Sequence, residues 1–243
     1  MYLFKGLVSP VKMGKRKRSS SSKKVTKRAR RPRRRRVIND AFPKTMVTKM
    51  KYVDFISLDQ GSSDSGIPKA YNFRCNSIFD PDRTSVGHQP LGHDQFNLIY
   101  DHYTVIGSKI KCTFTPQGNA AQSLDMLYML SVQDTMNTYT NPIDFLEQPK
   151  TKGISVVPGY AGKARVLTAT YSPYKMFGLS KKDSLIANPK LTPQFGNNPS
   201  EDAFFQISVC NPTTTSANPP PIRVRVEIEY LVVCSERRPL DRS

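Results

Sequence analysis

The 243-residue sequence contains no tryptophan, only four cysteines, and no acidic residue before Asp40. Each gap excludes something. Cys75, Cys112, Cys210 and Cys234 stand far apart with no Cys-x-x-Cys pair, which argues against a zinc ribbon or a disulfide scaffold. All four lie in apolar stretches, where cysteine behaves as a small hydrophobe, so free thiols of a reducing compartment are expected. No Asn-x-Ser/Thr triplet lacks a proline, which fits a chain outside the secretory route. No stretch approaches the roughly 18 apolar residues needed to span a bilayer. Met1 to Val11 is mildly apolar but contains Lys5 and Pro10, so it lacks the core of a signal peptide. Met13, opening Met-Gly-Lys-Arg-Lys-Arg, reads as an alternative start.

What is present is unevenly placed. The formal charge of +18 comes almost entirely from residues 1–39, which hold sixteen Lys or Arg. The remaining 204 residues carry 21 basic and 19 acidic side chains, a net of +2. This division predicts a basic arm over residues 1–40 and a near-neutral domain over residues 41–243. Between Lys12 and Arg36 the arm is Lys, Arg and Ser with almost nothing apolar. Such a segment has too little surface to bury against its ordering entropy and is expected to be disordered when free.

From Met46 onward, short runs rich in β-branched and aromatic residues are separated by Pro, Gly, Asn and Ser. In Ile222 to Val232, Ile222, Val224, Val226, Ile228, Tyr230 and Val232 alternate with Arg223, Arg225, Glu227 and Glu229, a period of two that only a strand explains. In Tyr103 to Thr115, Ile110, Cys112 and Phe114 alternate with Lys109, Lys111 and Thr113. Met46–Leu58, Lys69–Ile78, Leu124–Gln133, Gly153–Val157, Ala164–Tyr171 and Ala203–Cys210 complete eight predicted strands. Helix signals are confined to Asp94–Tyr100, with Asp94 as its expected cap, and Asn141–Glu147. The nineteen prolines supply long loops. Eight strands with so little helix predict an all-β sandwich, and an eight-stranded jelly roll is its leading form.

The block Asn76-Ser-Ile-Phe-Asp-Pro-Asp-Arg-Thr-Ser-Val-Gly-His-Gln-Pro-Leu-Gly-His-Asp-Gln-Phe96, with Tyr100, Tyr103 and Gly107-Ser108-Lys109-Ile110, resembles capsid proteins of circoviruses and of circovirus-like small circular single-stranded DNA viruses. The basic arm and the closing strand extend the resemblance over most of the chain. It implies a jelly-roll subunit that self-assembles into an icosahedral virion shell of T=1 type, about sixty copies, with arms facing inward. It also implies packaging of a circular single-stranded DNA genome and delivery to the host nucleus.

The arm's chemistry agrees with that expectation. A Lys or Arg that meets a phosphate releases counterions, giving tight, salt-sensitive, sequence-blind binding. Lys15, Arg16, Lys17, Arg18, Lys23, Lys24, Lys27, Arg28, Arg30, Arg31, Arg33, Arg34, Arg35 and Arg36 are the expected nucleic-acid contacts. At about sixty copies the arms would neutralise on the order of a thousand phosphates, the scale of a small genome. Arginine dominates from Arg28 onward, and its planar fork suits bidentate phosphate contact. Lys15, Arg16, Lys17 and Arg18, and Lys27, Arg28, Arg30 and Arg31, also read as nuclear-import signals, with the import machinery of the host as partner. The plain alternative is a solvated tail, but sixteen cations without one acid exceed what solubility requires.

Subunit contacts in a jelly roll come from loops and edges, since the inner faces form its own core. Phe79, Pro81, Pro90, Phe145, Tyr160, Tyr174, Phe177 and Phe195 are the interface candidates, each weighed against closure of its own loop onto the core. His88 and His93 with Asp80, Asp82 and Asp94 match no standard metal spacing, and a packed turn is the expected role. His102 beside Asp101 reads as a loop pairing. Gly107-Ser108-Lys109 lacks the upstream glycine of a phosphate loop, and the glycine- and serine-rich stretch from Gly61 to Gly66 reads as a turn rather than a nucleophile elbow. No catalytic constellation and no cofactor are implied. Two other readings stay open: the capsid of a small RNA virus, whose cargo presents the same phosphates, and a cellular nucleic-acid-binding protein with a basic tail. The near balance of residues 40–243 argues against the latter.

Overall fold

The computed structural model describes residues 41–60, 66–117, 125–156, 163–180, 184–212 and 221–239. Eight strands run in the order β1 (Thr45–Leu58), β2 (Lys69–Arg74), β3 (Tyr100–Pro116), β4 (Met126–Gln133), β5 (Lys152–Val156), β6 (Arg165–Tyr171), β7 (Phe204–Cys210) and β8 (Ile222–Arg237). Three short helices interrupt them: α1 (His93–Asn97), α2 (Pro142–Leu146) and α3 (Pro173–Met176). The strands form two four-stranded sheets ordered β1-β8-β3-β6 and β2-β7-β4-β5, with every described pairing antiparallel. Successive strands from β1 to β8 alternate between the sheets except at β4–β5, which pair within one sheet, and the last strand inserts between the first and the third. That order is a jelly roll.

The two sheets differ in how their faces are used, and the sequence periods say why. In β8, Ile222, Val224, Val226, Ile228, Tyr230 and Val232 are buried while Arg223, Arg225 and Glu229 are exposed, so the alternation marks one covered and one bare face. In β4 and β7, Met-Leu-Tyr-Met-Leu-Ser-Val-Gln and Phe-Phe-Gln-Ile-Ser-Val-Cys are buried at every position. Continuous burial means both faces are covered. Tyr128, Leu130 and Val132 face the main core, whereas Leu127, Met129 and Cys210 pack with Phe145 and Tyr139 in a second, smaller cluster under the β4–β5 connection. Gly153 permits this cover: a Cβ there would lie 2.6 Å from Leu146 Cδ2.

The main core is aromatic in place of the missing tryptophan. Phe114 on β3 stacks on Tyr128 on β4, with ring centroids 4.8 Å apart and planes within 5°, joining the two sheets. The buried Tyr230 hydroxyl donates to the Arg74 carbonyl at 2.8 Å, and Ser108 Oγ donates to the Cys75 carbonyl at 2.6 Å. Both bonds pass from the first sheet to the β2 end of the second. A bulge between Val105 and Gly107 changes the phase of β3, so that Tyr103 and Val105 before it and Ile110, Cys112 and Phe114 after it all reach the core.

Expected and observed elements differ at their ends for identifiable reasons. The second strand stops at Arg74, short of Ile78, because Ser77 Oγ accepts from Phe79 N–H at 3.2 Å and turns the chain, while Arg74 N–H donates to the Pro81 carbonyl at 2.7 Å. Ile78 is buried as a loop residue. The last strand continues past Val232 through Val233, Cys234 and Ser235, all buried, where the alternation that marked it disappears. The helix expected over Asp94–Tyr100 is His93–Asn97, with Gly92 at φ 91° as its cap in place of Asp94, and Tyr100 already belongs to β3. The second expected helix holds, with Asn141 Oδ1 accepting from Ile143 N–H at 2.9 Å and Pro142 in the first turn. α3 had no signal beyond Pro173. Val157, Leu124, the stretch 61–65 and all of residues 1–40 lie outside the described residues. Among the described residues no helix is long and apolar enough to cross a membrane.

Two outcomes are expected. Phe114→Ala removes the ring that stacks across the sandwich and lowers unfolding stability by about 3–5 kcal/mol, measured by urea denaturation of the purified chain. The four cysteines are unpaired and buried, and burial pushes the Cys210 and Cys234 thiols up to about 12. All four therefore resist iodoacetamide at neutral pH in the native protein and react together once it is denatured, as read by intact mass.

Candidate nucleic-acid interface and assembly surface

The fourteen arm residues expected to bind nucleic acid, Lys15 to Arg36, and the import clusters within them lie outside the described residues. Two hydrogen bonds hold the residues just before β1. There Tyr100 Oη donates to the Pro43 carbonyl at 3.0 Å and Arg237 Nη1 donates to the Phe42 carbonyl at 3.1 Å. β3 and β8 thus fix the segment that feeds the first strand.

The block Asn76–Phe96 forms most of the β2–β3 connection and is built around buried polar groups. Asn76 Nδ2 donates to the Glu201 carbonyl at 2.6 Å while its Oδ1 accepts from Ala203 N–H at 3.1 Å. Ser77 Oγ donates to Asn198 Oδ1 at 2.6 Å and lies 3.1 Å from Tyr103 Oη. Arg74, almost wholly buried, gives Nη1 to the Asp80 carboxylate at 2.7 Å and to the Asp80 carbonyl at 2.9 Å, and its Nε lies 3.6 Å from Asp202. Burial pushes the Asp202 carboxyl up, and the Arg74 charge opposes that rise. Asp82 accepts from Tyr71 Oη at 2.8 Å and from Thr84 N–H and Oγ1 at 2.9 Å each. Gly87 passes so close to these groups that a Cβ would meet Asp82 Cβ and Tyr52 Oη at 2.7 Å. The residues that carry the sequence resemblance are therefore those that hold this loop in one shape.

The histidines and carboxylates each have a partner of their own. His88 Nε2 lies 3.0 Å from the Val53 carbonyl and its ring 4.6 Å from that of Tyr52, tying the loop to β1. His93 is buried between Phe79 and Phe195, with Nδ1 3.0 Å from Asp94 Oδ1. His102 does not pair with Asp101: its Nδ1 lies 3.1 Å from Glu236 Oε2, and Asp101 meets Arg238 Nε at 2.8 Å. The antiparallel pairing of β3 with the end of β8 brings these residues together across strands, against the neighbour pairing the sequence implied. Among the described residues no three His, Cys, Asp or Glu converge as metal ligands.

The interface candidates separate by burial. Phe145 and Phe195 are inside the subunit, Phe145 in the second cluster and Phe195 against Tyr103 at 5.3 Å, and Pro81 and Pro90 are also buried. Their area closes their own loops rather than facing a neighbour. Phe79, Tyr174 and Phe177 are half-buried, and Tyr160 lies outside the described residues. The most exposed apolar residues are others: Leu91, Val86 and Leu98 are 92%, 83% and 77% exposed, all in the β2–β3 connection. Their signal was a lack of periodicity, since each is apolar in a Gly- and Pro-punctuated stretch with no alternating partner.

No protein-family model and no curated protein sequence matches this chain. Among solved structures, the chain is similar to the Macrobrachium rosenbergii nodavirus semi-empty particle at 9% identity and TM-score 0.46, over 84% of this chain and 100% of that one. It is similar to the empty head of turnip yellow mosaic virus at 10% identity and TM-score 0.43, over 86% and 90%. It is similar to a 60-mer of the BFDV capsid protein at 13% identity and TM-score 0.42, over 83% and 100%. The strand order and register define the jelly roll independently of these likenesses.

Arg74→Met strands Asp80 without its buried partner and costs about 3–5 kcal/mol of stability. Hydrogen exchange should accelerate across residues 75–92, with Arg74→Lys showing a smaller effect in the same peptides.

Proposed function

We propose that this chain is the coat subunit of a small icosahedral virus, a jelly roll whose loops and edges build the shell and whose first forty residues bind the packaged single-stranded nucleic acid. The observation that carries this is the division of charge: sixteen cations and no acid in residues 1–39, against a net of +2 in the rest. A cellular nucleic-acid binder uses its folded surface for its ligand, whereas a container separates the wall from the holder of the cargo. Counterion release gives such an arm the sequence-blind affinity that packaging needs. The exposed Val86, Leu91 and Leu98 are apolar area that a lone soluble subunit has no use for and a neighbouring subunit would cover.

Circular single-stranded DNA is the cargo that the Asn76–Phe96 resemblance implies, and RNA is the alternative that phosphate chemistry admits equally. The arm's two basic clusters would also carry the subunit into the host nucleus before assembly, so import and packaging share one segment.

The expected behaviour is concrete. Purified protein forms uniform hollow spheres by electron microscopy. Deletion of residues 12–36 leaves shells that form but lose most of their 260 nm absorbance, and the deletant stays cytoplasmic when expressed in cells. Digestion of extracted cargo with DNase and RNase assigns the nucleic acid. Full nucleic-acid content in the deletant, or a monomer bound to one defined RNA site, would overturn the reading.

A further inference from the structure

The bare face of the β1-β8-β3-β6 sheet carries a cluster of cations. Along it Lys49 and Lys51 on β1, Lys109 and Lys111 on β3, and Arg223 and Arg225 on β8 point away from the core, with only Glu227 and Glu229 as acids among them. The register sets these side chains in rows. Lys51, Glu229 and Lys109 stand side by side in one, and Glu227 with Lys111 in the next. Glu227 draws in three cations, Lys51 at 2.9 Å, Arg225 at 3.0 Å and Lys111 at 3.9 Å, and these hold its carboxyl below the usual range. Two acids thus space an array that keeps a surplus of four positive charges. Beside it Phe55 is 55% exposed, with the Arg223 guanidinium 4.7 Å over its ring. An exposed aromatic ring among cations is the arrangement on which single-stranded bases stack while their phosphates are neutralised.

We infer that this sheet face lines the inside of the shell and is a second contact surface for the packaged single strand. The inference rests on the packaging role proposed above and adds to it an orientation: the outer face of β1-β8-β3-β6 turns toward the cargo, and the opposite sheet, whose outer face is covered by the β4–β5 connection, turns away. The charge excess, the stacked Arg223–Phe55 pair and the lack of any covering segment among the described residues all fall on the same face. The arm then captures the strand, and the sheet gives it a fixed bed.

The test uses the full chain and a labelled oligothymidylate of about thirty nucleotides, titrated at several salt concentrations. Lys49→Gln, Lys109→Gln and Arg223→Gln combined neutralise three cations for which Glu227 is not the partner. With the unfolding midpoint unchanged, the slope of log affinity against log salt should fall by about 2, so that roughly 16-fold less affinity is lost between 50 and 200 mM salt. An unchanged slope in this variant, with a reduced slope on deleting residues 12–36, overturns the sheet face while leaving the arm's role intact. An unchanged slope in both overturns packaging itself. If the triple variant fails to fold, ultraviolet cross-linking of unmodified filled particles decides. Nucleotide attached to the tryptic peptide Tyr52–Lys69, which carries Phe55, supports the inference, and cross-links confined to the arm or to the other sheet refute it.

Discussion

β8 is the strand on which the rest of the sandwich depends. It pairs with β1 from Ile222 to Ser235 and with β3 from Ile222 to Arg237, so the first sheet is one continuous ladder about a central strand. Its inward residues are buried without exception, and Tyr230 reaches through the core to bond the Arg74 carbonyl on the opposite sheet. The chain supplies this strand last, long after its two partners, and most pairings in the first sheet wait for it. Contacts so distant in sequence carry a large loop-closure cost and make for slow folding. A sheet left open in that interval is exposed to edge-to-edge association. The charged outer residues Lys49, Lys51, Lys109, Lys111, Arg223, Arg225, Glu227 and Glu229 guard against it over the middle of the ladder.

Arg74 does for the loops what β8 does for the sheets. At the point where β2 must end, its guanidinium takes both the carboxylate and the carbonyl of Asp80, and its own carbonyl receives Tyr230. A buried ion pair of this kind contributes little net stability because desolvation offsets the attraction, but it admits only one arrangement of the chain. Asn76, Ser77 and Asp82 continue the same strategy. Polar side chains replace the ladder bonds that a strand would have provided, so a long connection keeps its buried backbone groups satisfied. A loop held this rigidly presents Val86, Leu91 and Leu98 at fixed positions on the surface.

The architecture was legible wherever burial follows a simple period. The alternation in β8 and β3 places their charged residues outside and their apolar residues in the core, whereas β4 and β7 were legible only as strands, and their burial on both faces comes from the cover over them. What escaped was set by distant contacts. Ser77 turning the chain, His102 meeting Glu236 and Phe145 sinking beneath the β4–β5 connection each depend on a partner that spacing does not reveal. The interface candidates show the same limit from the other side. Large aromatics and prolines in loops were expected to face neighbours, but a ring that size lowers the free energy of its own subunit first, so Phe145 and Phe195 are consumed inside it. In the β2–β3 connection the apolar residues left most exposed are the aliphatic Val86, Leu91 and Leu98.

The separation of charge has a physical cost that explains its placement. Six cations on one small sheet would repel one another were they not interleaved with Glu227 and Glu229, and those two acids turn a repulsive cluster into an ordered array with a moderate positive surplus. Residues 1–39 have no such acids. A folded surface can tolerate only as much like charge as its neighbours can space, because its side chains cannot move apart, whereas an extended chain relieves repulsion by lengthening. Most of the like charge of the sequence accordingly stands before residue 40, and only a spaced remainder on the folded surface. Under the proposed function, a chain that both closes a shell and holds a polyanion inside it is served by that allocation, whatever the sugar of the strand it carries.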